Sequence, residues 1–285
     1  MIRGFKAIAV DLDGTLLDTR GAPHVQDVRA LRAAARAGVH VSILTGRLYS
    51  GTRASAEAIG ITGPVGCADG SHMVRASDHA TLAHHGLSGE HARVVRDALG
   101  RHGPATFIFA QDAIVHDAVG EAFLGYVKTW STDVRLAESV VAHDWWTSAE
   151  GITAVVAVGT AAQIHGAHEE IVRSEGTEAY VVTFPIRRLT DAWGMIARAP
   201  GRTKGSALAF VAEHYGYGPE QVVCVGDWMN DLSMFDVAGR SYAMGHAPDD
   251  VKGRASVVLE ETSERGGGIA RAIEDAFGIR AEGDE

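Results

Sequence analysis

Lys6-Ala7-Ile8-Ala9-Val10-Asp11-Leu12-Asp13-Gly14-Thr15 joins an apolar run to two carboxylates two residues apart and then to a glycine turn. An apolar run of this length fits a strand buried on both faces of a parallel sheet. Both acids then emerge at the strand's carboxyl end, the edge at which open α/β sheets bind ligands. Side chains at i and i+2 of an extended segment point the same way, roughly 6–7 Å apart along the backbone, so Asp11 and Asp13 can face one cation and one substrate atom. Two acids this close repel, and burying them requires a cation or a cluster of donors. Taken alone, Asp13-Gly14 also reads as a plain turn.

The pattern around this segment alternates between strand and helix. A helix over 25–37 closed by Gly38, a buried strand over 39–44, a helix over 49–59 closed by Gly60 and a short strand over 65–67 follow the first strand. Such alternation implies a parallel sheet. The middle of the chain mixes strand-like runs at 105–110, 113–116, 152–158 and 180–184 with helices near 90–102, 121–128 and 161–174, separated by short turns. The βα rhythm returns after Pro200, with a helix over 204–215, a strand over 222–225, a helix over 230–237 and a strand over 241–244. The expected class is therefore α/β, a Rossmann-like parallel core over 1–68 and 196–285 interrupted by an inserted α+β domain over 69–195.

More polar groups fall just after apolar strands of this core. Ser42-Ile43-Leu44-Thr45-Gly46 places a hydroxyl and a glycine amide at the end of the second strand. Gly201-Arg202-Thr203-Lys204-Gly205 places an ammonium at a helix start, where free backbone amides also favour an anion. Val222-Val223-Cys224-Val225-Gly226-Asp227-Trp228-Met229-Asn230-Asp231 ends a strand in two acids and an amide. Each element has a local explanation as a turn, a surface lysine or a helix cap. Their joint return to one sheet edge points to a shared site.

The set suits phosphoryl transfer. Magnesium takes hard oxygen ligands, which Asp11, Asp227 and a carbonyl near Asp13 can supply. Thr45, the Gly46 amide, Lys204 and the Asn230 amide can hold phosphoryl oxygens, where charge must be stabilised in the transition state. Asp11 can attack phosphorus as a carboxylate nucleophile. Asp13 can protonate the leaving alcohol and then deprotonate water, a division of roles that follows when one acid is bound to metal and the other is not.

These motifs resemble, in order and spacing, those of the haloacid dehalogenase-like superfamily, and within it the Cof-type phosphatases. The resemblance implies Asp11 as phosphorylated nucleophile, Asp13 as general acid and base, Thr45 as the second-motif residue, Lys204 as phosphate binder, and Gly226 to Asp231 as the metal motif, with Asp231 a ligand. It also implies a cap domain between the second and third motifs that governs substrate choice. Tyr242-Ala243-Met244-Gly245-His246-Ala247 and Gly266-Gly267-Gly268-Ile269-Ala270 extend the match, which covers nearly all of the core and little of the cap. Two departures are Ala68-Asp69-Gly70-Ser71, where the family often has Asn-Gly-Ala, and His246, where it often has Asn.

Composition narrows the partners. Among 285 residues, the formal net charge of −10 argues against binding a nucleic-acid backbone, and no Lys/Arg-rich run appears. The start of the chain shows neither a signal-peptide pattern nor an 18-residue apolar stretch, so a soluble cytoplasmic protein without a membrane partner is expected. Cys67 and Cys224 lie in apolar runs and are expected as reduced core thiols. The histidines and Trp130, Trp145 and Trp146 are expected to pack rather than to bind. The expected activity is a magnesium-dependent phosphatase of small phosphorylated metabolites, such as sugar phosphates, with an aspartyl-phosphate intermediate. A phosphotransferase or phosphomutase on the same scaffold is the nearer alternative, and a non-enzymatic phosphoacceptor module the more distant one. A dinucleotide enzyme is disfavoured, because Asp-Leu-Asp-Gly-Thr replaces the glycine fingerprint after the first strand.

Overall fold

A computed structural model describes residues 4–175, 177–186 and 189–280. Strand β1 (Ala7–Val10) is buried at every position, as its unbroken apolar run requires. Helix α1 (Val25–Arg36) follows and buries Asp27, Ala30, Leu31 and Ala34, the 3–4 spacing of one helical face. Strand β2 (His40–Ile43), helix α2 (Arg53–Ile59) and strand β3 (Pro64–Cys67) continue the alternation. The Gly60 N–H bonds back to the carbonyls of Ala56 and Glu57 with φ at +86°, which stops α2. Two short strands follow, β4 (His72–Arg75) and β5 (Ala80–His84).

The middle of the chain contains α3 (Gly89–His102), β6 (Ala105–Ala110), β7 (Ala113–His116), α4 (Leu124–Val127), β8 (Val134–Leu136), β9 (Ala154–Gly159), α5 (Ala161–Arg173), β10 (Tyr180–Pro185) and β11 (Trp193–Arg198). The last part returns to α6 (Lys204–His214), β12 (Val222–Gly226), α7 (Leu232–Phe235), β13 (Arg240–Ala243), α8 (Asp249–Lys252), β14 (Val257–Val258) and α9 (Gly268–Phe277).

The chain divides into two compact units, residues 1–46, 52–82 and 203–285 in the first and 47–51 with 83–202 in the second. The first holds a five-stranded parallel sheet in the order β14-β13-β12-β1-β2. The central pair β1 and β12 is drawn from opposite ends of the sequence, and the register matches Val10 to Val225. The second unit holds a six-stranded sheet in the order β10-β11-β9-β6-β7-β8, antiparallel except for β7 with β8. Its core gathers Val95, Leu99, Ile108, Val155, Ile164 and Met195 around α3 and α5, and Trp145 and Trp146 are buried within it. The architecture is α/β with an α+β insertion.

Several details differ from the sequence reading, each for a local reason. Strand β3 is not a full parallel member of the core sheet: it touches β2 through a single parallel bridge, Leu44 to Gly66, and pairs along its length antiparallel with β4. Residues 69–82, expected in the insert, therefore pack with the first unit, and residues 196–202, expected in the core, pack with the second, where β11 continues to Arg198. Residues 49–51, expected to begin a core helix, pack in the second unit instead. There the Leu48 N–H bonds to the Trp130 carbonyl at 2.9 Å and the Ser50 N–H to Asp112 Oδ1 at 2.9 Å.

The helix expected over 121–128 is a 3₁₀ segment, Ala118–Phe123, followed by the short α4, as glycines at 120 and 125 lower helix propensity. The helix expected over 230–237 is likewise a 3₁₀ turn, Met229–Asp231, running into α7. Strand β11 has no clear sequence signal because Gly194 interrupts it. That glycine pairs with Phe184, whose ring lies 2.6 Å from where a Cβ at 194 would stand. An aromatic covering a cross-strand glycine stabilises such a pair. Among the described residues no helix is long and apolar enough to cross a membrane.

One buried carboxylate ties the first helix to the last. Asp27 is 1% exposed and accepts hydrogen bonds from the backbone N–H groups of Gly267 at 2.8 Å and Ala270 at 2.9 Å, capping α9 from α1. Asp27→Ala leaves both donors without an acceptor and should lower the unfolding free energy by about 2–3 kcal/mol. Urea denaturation of the two proteins measures the difference, and a loss under about 0.5 kcal/mol would show that α9 is anchored some other way.

Candidate active site

The β1–β12 register places the two strand-end acids side by side, and the Asp11 N–H donates to the Val225 carbonyl at 3.0 Å. Asp227 follows Gly226 at the end of β12. Asp231 closes the next turn, where its Oδ2 accepts from the N–H groups of Asp227 at 2.8 Å and Trp228 at 2.9 Å. These bonds turn the chain back on itself, so three carboxylates meet: ligand oxygens of Asp11, Asp227 and Asp231 all lie within 4.8 Å of one another, and all three residues are buried.

Lys204 reaches this group from the first position of α6. A reciprocal cap fixes that helix start, with the Ser206 N–H donating to Thr203 Oγ1 at 3.2 Å and the Thr203 N–H to Ser206 Oγ at 3.0 Å. Lys204 is 1% exposed. Its Nζ donates to Asp231 Oδ1 at 2.6 Å and also to Asp11 Oδ1.

Two further contacts steady Asp227. Thr15 Oγ1 donates to its Oδ1 at 3.1 Å, and His246 Nε2 stands 3.4 Å from its Oδ2. Gly14 is required here on two counts, since its φ is +81° and a Cβ would stand 2.5 Å from Asp227 Oδ2.

The remaining residues singled out in the sequence fall around this centre unequally. Asp13 is exposed and its carboxylate is not one of the clustered three. Thr45 is buried, and its N–H donates to the Gly66 carbonyl at 2.9 Å. Asn230 is half-buried and its Nδ2 donates to Asp69 Oδ1 at 2.8 Å. The Gly46 backbone lies beside the same carboxylate, with both Asp69 oxygens 3.7 Å from the point a Cβ at 46 would occupy. Sequence reasoning gave no role to Thr15, Asp69 or His246. The last two stand at the departures from the family pattern, which was the available signal.

Burial pushes the Asp11 carboxyl well above the usual carboxylate range; Lys204 opposes this, while Asp231 and Asp227 add to it. Burial likewise raises Asp231 against the pull of Lys204. For Lys204 burial favours the neutral amine, but the carboxylates of Asp11, Asp231 and Asp69 outweigh it and hold the group above the ordinary lysine range. Three carboxylates and one ammonium leave the cluster about two charges negative when all are ionised. The donors are hard oxygens within reach of one point, so the set fits a divalent cation of the magnesium type.

Buried acids and a lysine at the carboxyl edge of a parallel sheet, with a second unit inserted between strands, define a phosphoryl-transferring hydrolase. Residues 8–273 match the profile of the haloacid dehalogenase-like hydrolases, and the chain belongs to that family, in its Cof-type group. It is a phosphatase working by magnesium-dependent phosphoryl transfer through an aspartate. Pyridoxal phosphate phosphatase YbhA of Escherichia coli is 27% identical over 261 residues, 90% of this chain and 94% of that protein. The 5-amino-6-(5-phospho-D-ribitylamino)uracil phosphatase YcsE of Bacillus subtilis is 27% identical over 269 residues, 94% of each. A crystal structure of a haloacid dehalogenase-like hydrolase from Bacteroides thetaiotaomicron shares the fold, with a TM-score of 0.82 at 21% identity over 96% of this chain and 100% of that one.

The charge count yields a stability test. Lys204→Met removes the ammonium and keeps the chain length, leaving the buried carboxylates without their counter-ion. The metal-free variant should lose about 3–5 kcal/mol. Added magnesium should raise its melting temperature more than that of the wild type, because the cation then supplies charge that lysine no longer does. Equal responses to magnesium in differential scanning calorimetry would contradict the shared role of Lys204 and the cation.

Proposed function

We propose that this protein hydrolyses small organic phosphomonoesters, with Asp11 as the group that accepts the phosphoryl. The observation that carries the reading is the Asp11 carboxylate at the end of β1, held by Lys204 and grouped with Asp227 and Asp231. Asp11, Asp227 and Asp231, with the main-chain carbonyl at Asp13, are the residues that would hold magnesium. When bound, the cation offsets the negative charge of the cluster and of the phosphoryl oxygens.

Thr45, the Gly46 amide, Lys204 and Asn230 hold the phosphoryl group so that phosphorus faces Asp11. An Asp11 oxygen attacks phosphorus while the bond to the ester oxygen breaks, and Asp13 gives that oxygen its proton. The products of this half are the free alcohol and an aspartyl-phosphate on Asp11. Asp13, now a carboxylate, takes a proton from water as the water oxygen attacks phosphorus. Asp11 leaves as a carboxylate, inorganic phosphate is released and Asp13 is again protonated. The exposed position of Asp13 supports this role, since a shuttle must meet both leaving group and solvent.

Relatives of nearly equal identity are named for pyridoxal phosphate, for a ribitylaminouracil phosphate and, in a Methanothermobacter protein 26% identical over 273 residues, for phosphoglycolate. Their spread supports a small phosphorylated metabolite as the substrate class and favours none of the three. The residues assigned to chemistry all lie in the first unit, so we assign substrate selection, including any preference for sugar phosphates, to the inserted second unit. Cys67 and Cys224, buried and not joined in a disulfide, support a cytoplasmic location.

Asp11→Asn keeps the shape of the side chain and removes the nucleophile. Phosphate release from a panel of sugar, cofactor and nucleotide monophosphates should fall at least about a thousandfold, with the melting temperature maintained. Wild-type turnover in that variant would remove Asp11 from the proposed role. Asp13→Asn should slow turnover by about 10²–10⁴-fold, the range for loss of a general acid and base. Stopped-flow phosphate detection checks it, and an undiminished rate would assign the proton transfer elsewhere.

A further inference from the structure

Asp69 is a buried carboxylate for which the mechanism above has no use. It is 4% exposed and follows β3 in a left-handed backbone conformation, with φ at +50° and ψ at +36°. Asp and Asn are the non-glycine residues that tolerate this conformation best. Its N–H donates to the Thr45 carbonyl at 2.8 Å, which binds the turn after β3 to the turn after β2. Its Oδ1 accepts from Asn230 Nδ2 at 2.8 Å, and a Cβ placed on Gly46 would stand 3.7 Å from both of its oxygens.

Asp69 thus stands among groups assigned to phosphoryl oxygens: its main chain is bonded to that of Thr45, and its carboxylate is near Gly46 and bonded to Asn230. An ionised carboxylate only accepts, so the Asn230 amide must present its NH₂ end to it, and one of the two hydrogens remains for a second acceptor. The arrangement orients a phosphate donor and, at the same time, puts a fixed negative charge beside the place where a phosphate dianion would rest. Asp69 is also one of the carboxylates that favour the charged form of Lys204, after Asp11 and Asp231.

We infer that Asp69 limits the retention of phosphate: its carboxylate weakens the hold of the Thr45–Gly46 turn and Asn230 on a phosphate dianion, and so promotes release of the inorganic phosphate product. The inference rests on the phosphatase reading above and assigns a step within it. Repulsion between the fixed carboxylate and the dianion raises the energy of the product complex and of the substrate complex alike. Removing it should therefore tighten both, and should not raise kcat.

Asp69→Asn is the variant that isolates the charge. Asparagine tolerates the left-handed backbone, nearly matches aspartate in volume and keeps an oxygen to accept from Asn230. In magnesium-loaded enzyme at pH 7, the inhibition constant of inorganic phosphate and the KM of a good phosphomonoester should each fall by at least about tenfold, a lower bound for one unit charge removed from close range in a site of intermediate dielectric. Calorimetric titration with inorganic phosphate should show the same gain without relying on turnover.

A merely structural role predicts the opposite sign, since loosening Asn230 would raise both constants. An inhibition constant that is unchanged or raised in Asp69→Asn, with phosphate release by the wild type intact, overturns the inference and leaves the phosphatase reading standing. Absence of phosphate release by the wild type from every phosphomonoester tried would overturn that reading instead, while the calorimetric comparison still decides whether the carboxylate repels phosphate.

Discussion

The ammonium of Lys204, enclosed between Asp11 and Asp231, is the interaction on which the site depends. A lysine this deeply buried is rare unless paired. It persists here because two carboxylates bond it directly and a capped helix start holds its backbone in place. The acids depend on it in turn. Burial drives Asp11 and Asp231 towards their neutral forms, and Lys204 is the protein group that opposes this most strongly. In the proposed reaction Asp11 attacks as an ionised carboxylate, and the lysine favours that form before any substrate arrives. It cannot neutralise three acids alone, and the remaining charge favours a divalent cation over a monovalent one.

The sheet topology makes this meeting possible. Asp11 comes from the start of the chain, Asp227 and Asp231 from its last quarter, and Lys204 from the helix that precedes β12. Parallel pairing of β1 with β12 puts the first two at one edge, since the register matches Val10 to Val225, and a slip of one residue would turn the side chains of the slipped strand to the opposite face. Close backbone approach does the rest. Gly226 has no room for a side chain, as a Cβ would stand 2.5 Å from the Asp231 carboxylate carbon. The insertion of more than a hundred residues between these parts alters none of this, because it forms a separate unit with its own core.

What the sequence revealed follows the same physics. Asp11, Lys204, Asp227 and Asp231 could be found because each sits next to an apolar strand or a helix start, where local pattern determines which edge a side chain reaches. The arrival of Lys204 at this edge was readable from its place at a helix start, although its burial was not. Strands β4 and β5 were hidden because short strands of mixed polarity carry little periodicity, and β11 because Gly194 depends on a ring from the facing strand. The 3₁₀ start of the segment expected as a helix over 230–237 has a local cause instead. Asp231 bonds the N–H groups of Asp227 and Trp228, and that local demand tightens the turn into a 3₁₀ segment. Thr15, Asp69 and His246 contact the site through pairings far apart in sequence, and no local pattern encodes such contacts.

A cluster built this way works against the stability of the fold that holds it. Like charges gathered in a buried place raise the energy of the metal-free protein, and the surrounding apolar strands must offset that. Here β1 and β12 are fully buried, and the acids are aimed by backbone hydrogen bonds together with the buried side chains of Lys204 and Thr15. Rigid aim has a further consequence for the reaction. Donors and carboxylates already in position need not reorganise as charge moves onto the phosphoryl oxygens, so the strain accepted in the resting protein becomes stabilisation in the transition state. The unfavourable electrostatics of the resting site and its capacity for phosphoryl transfer therefore have one origin, a set of charges that folding has placed before the substrate binds.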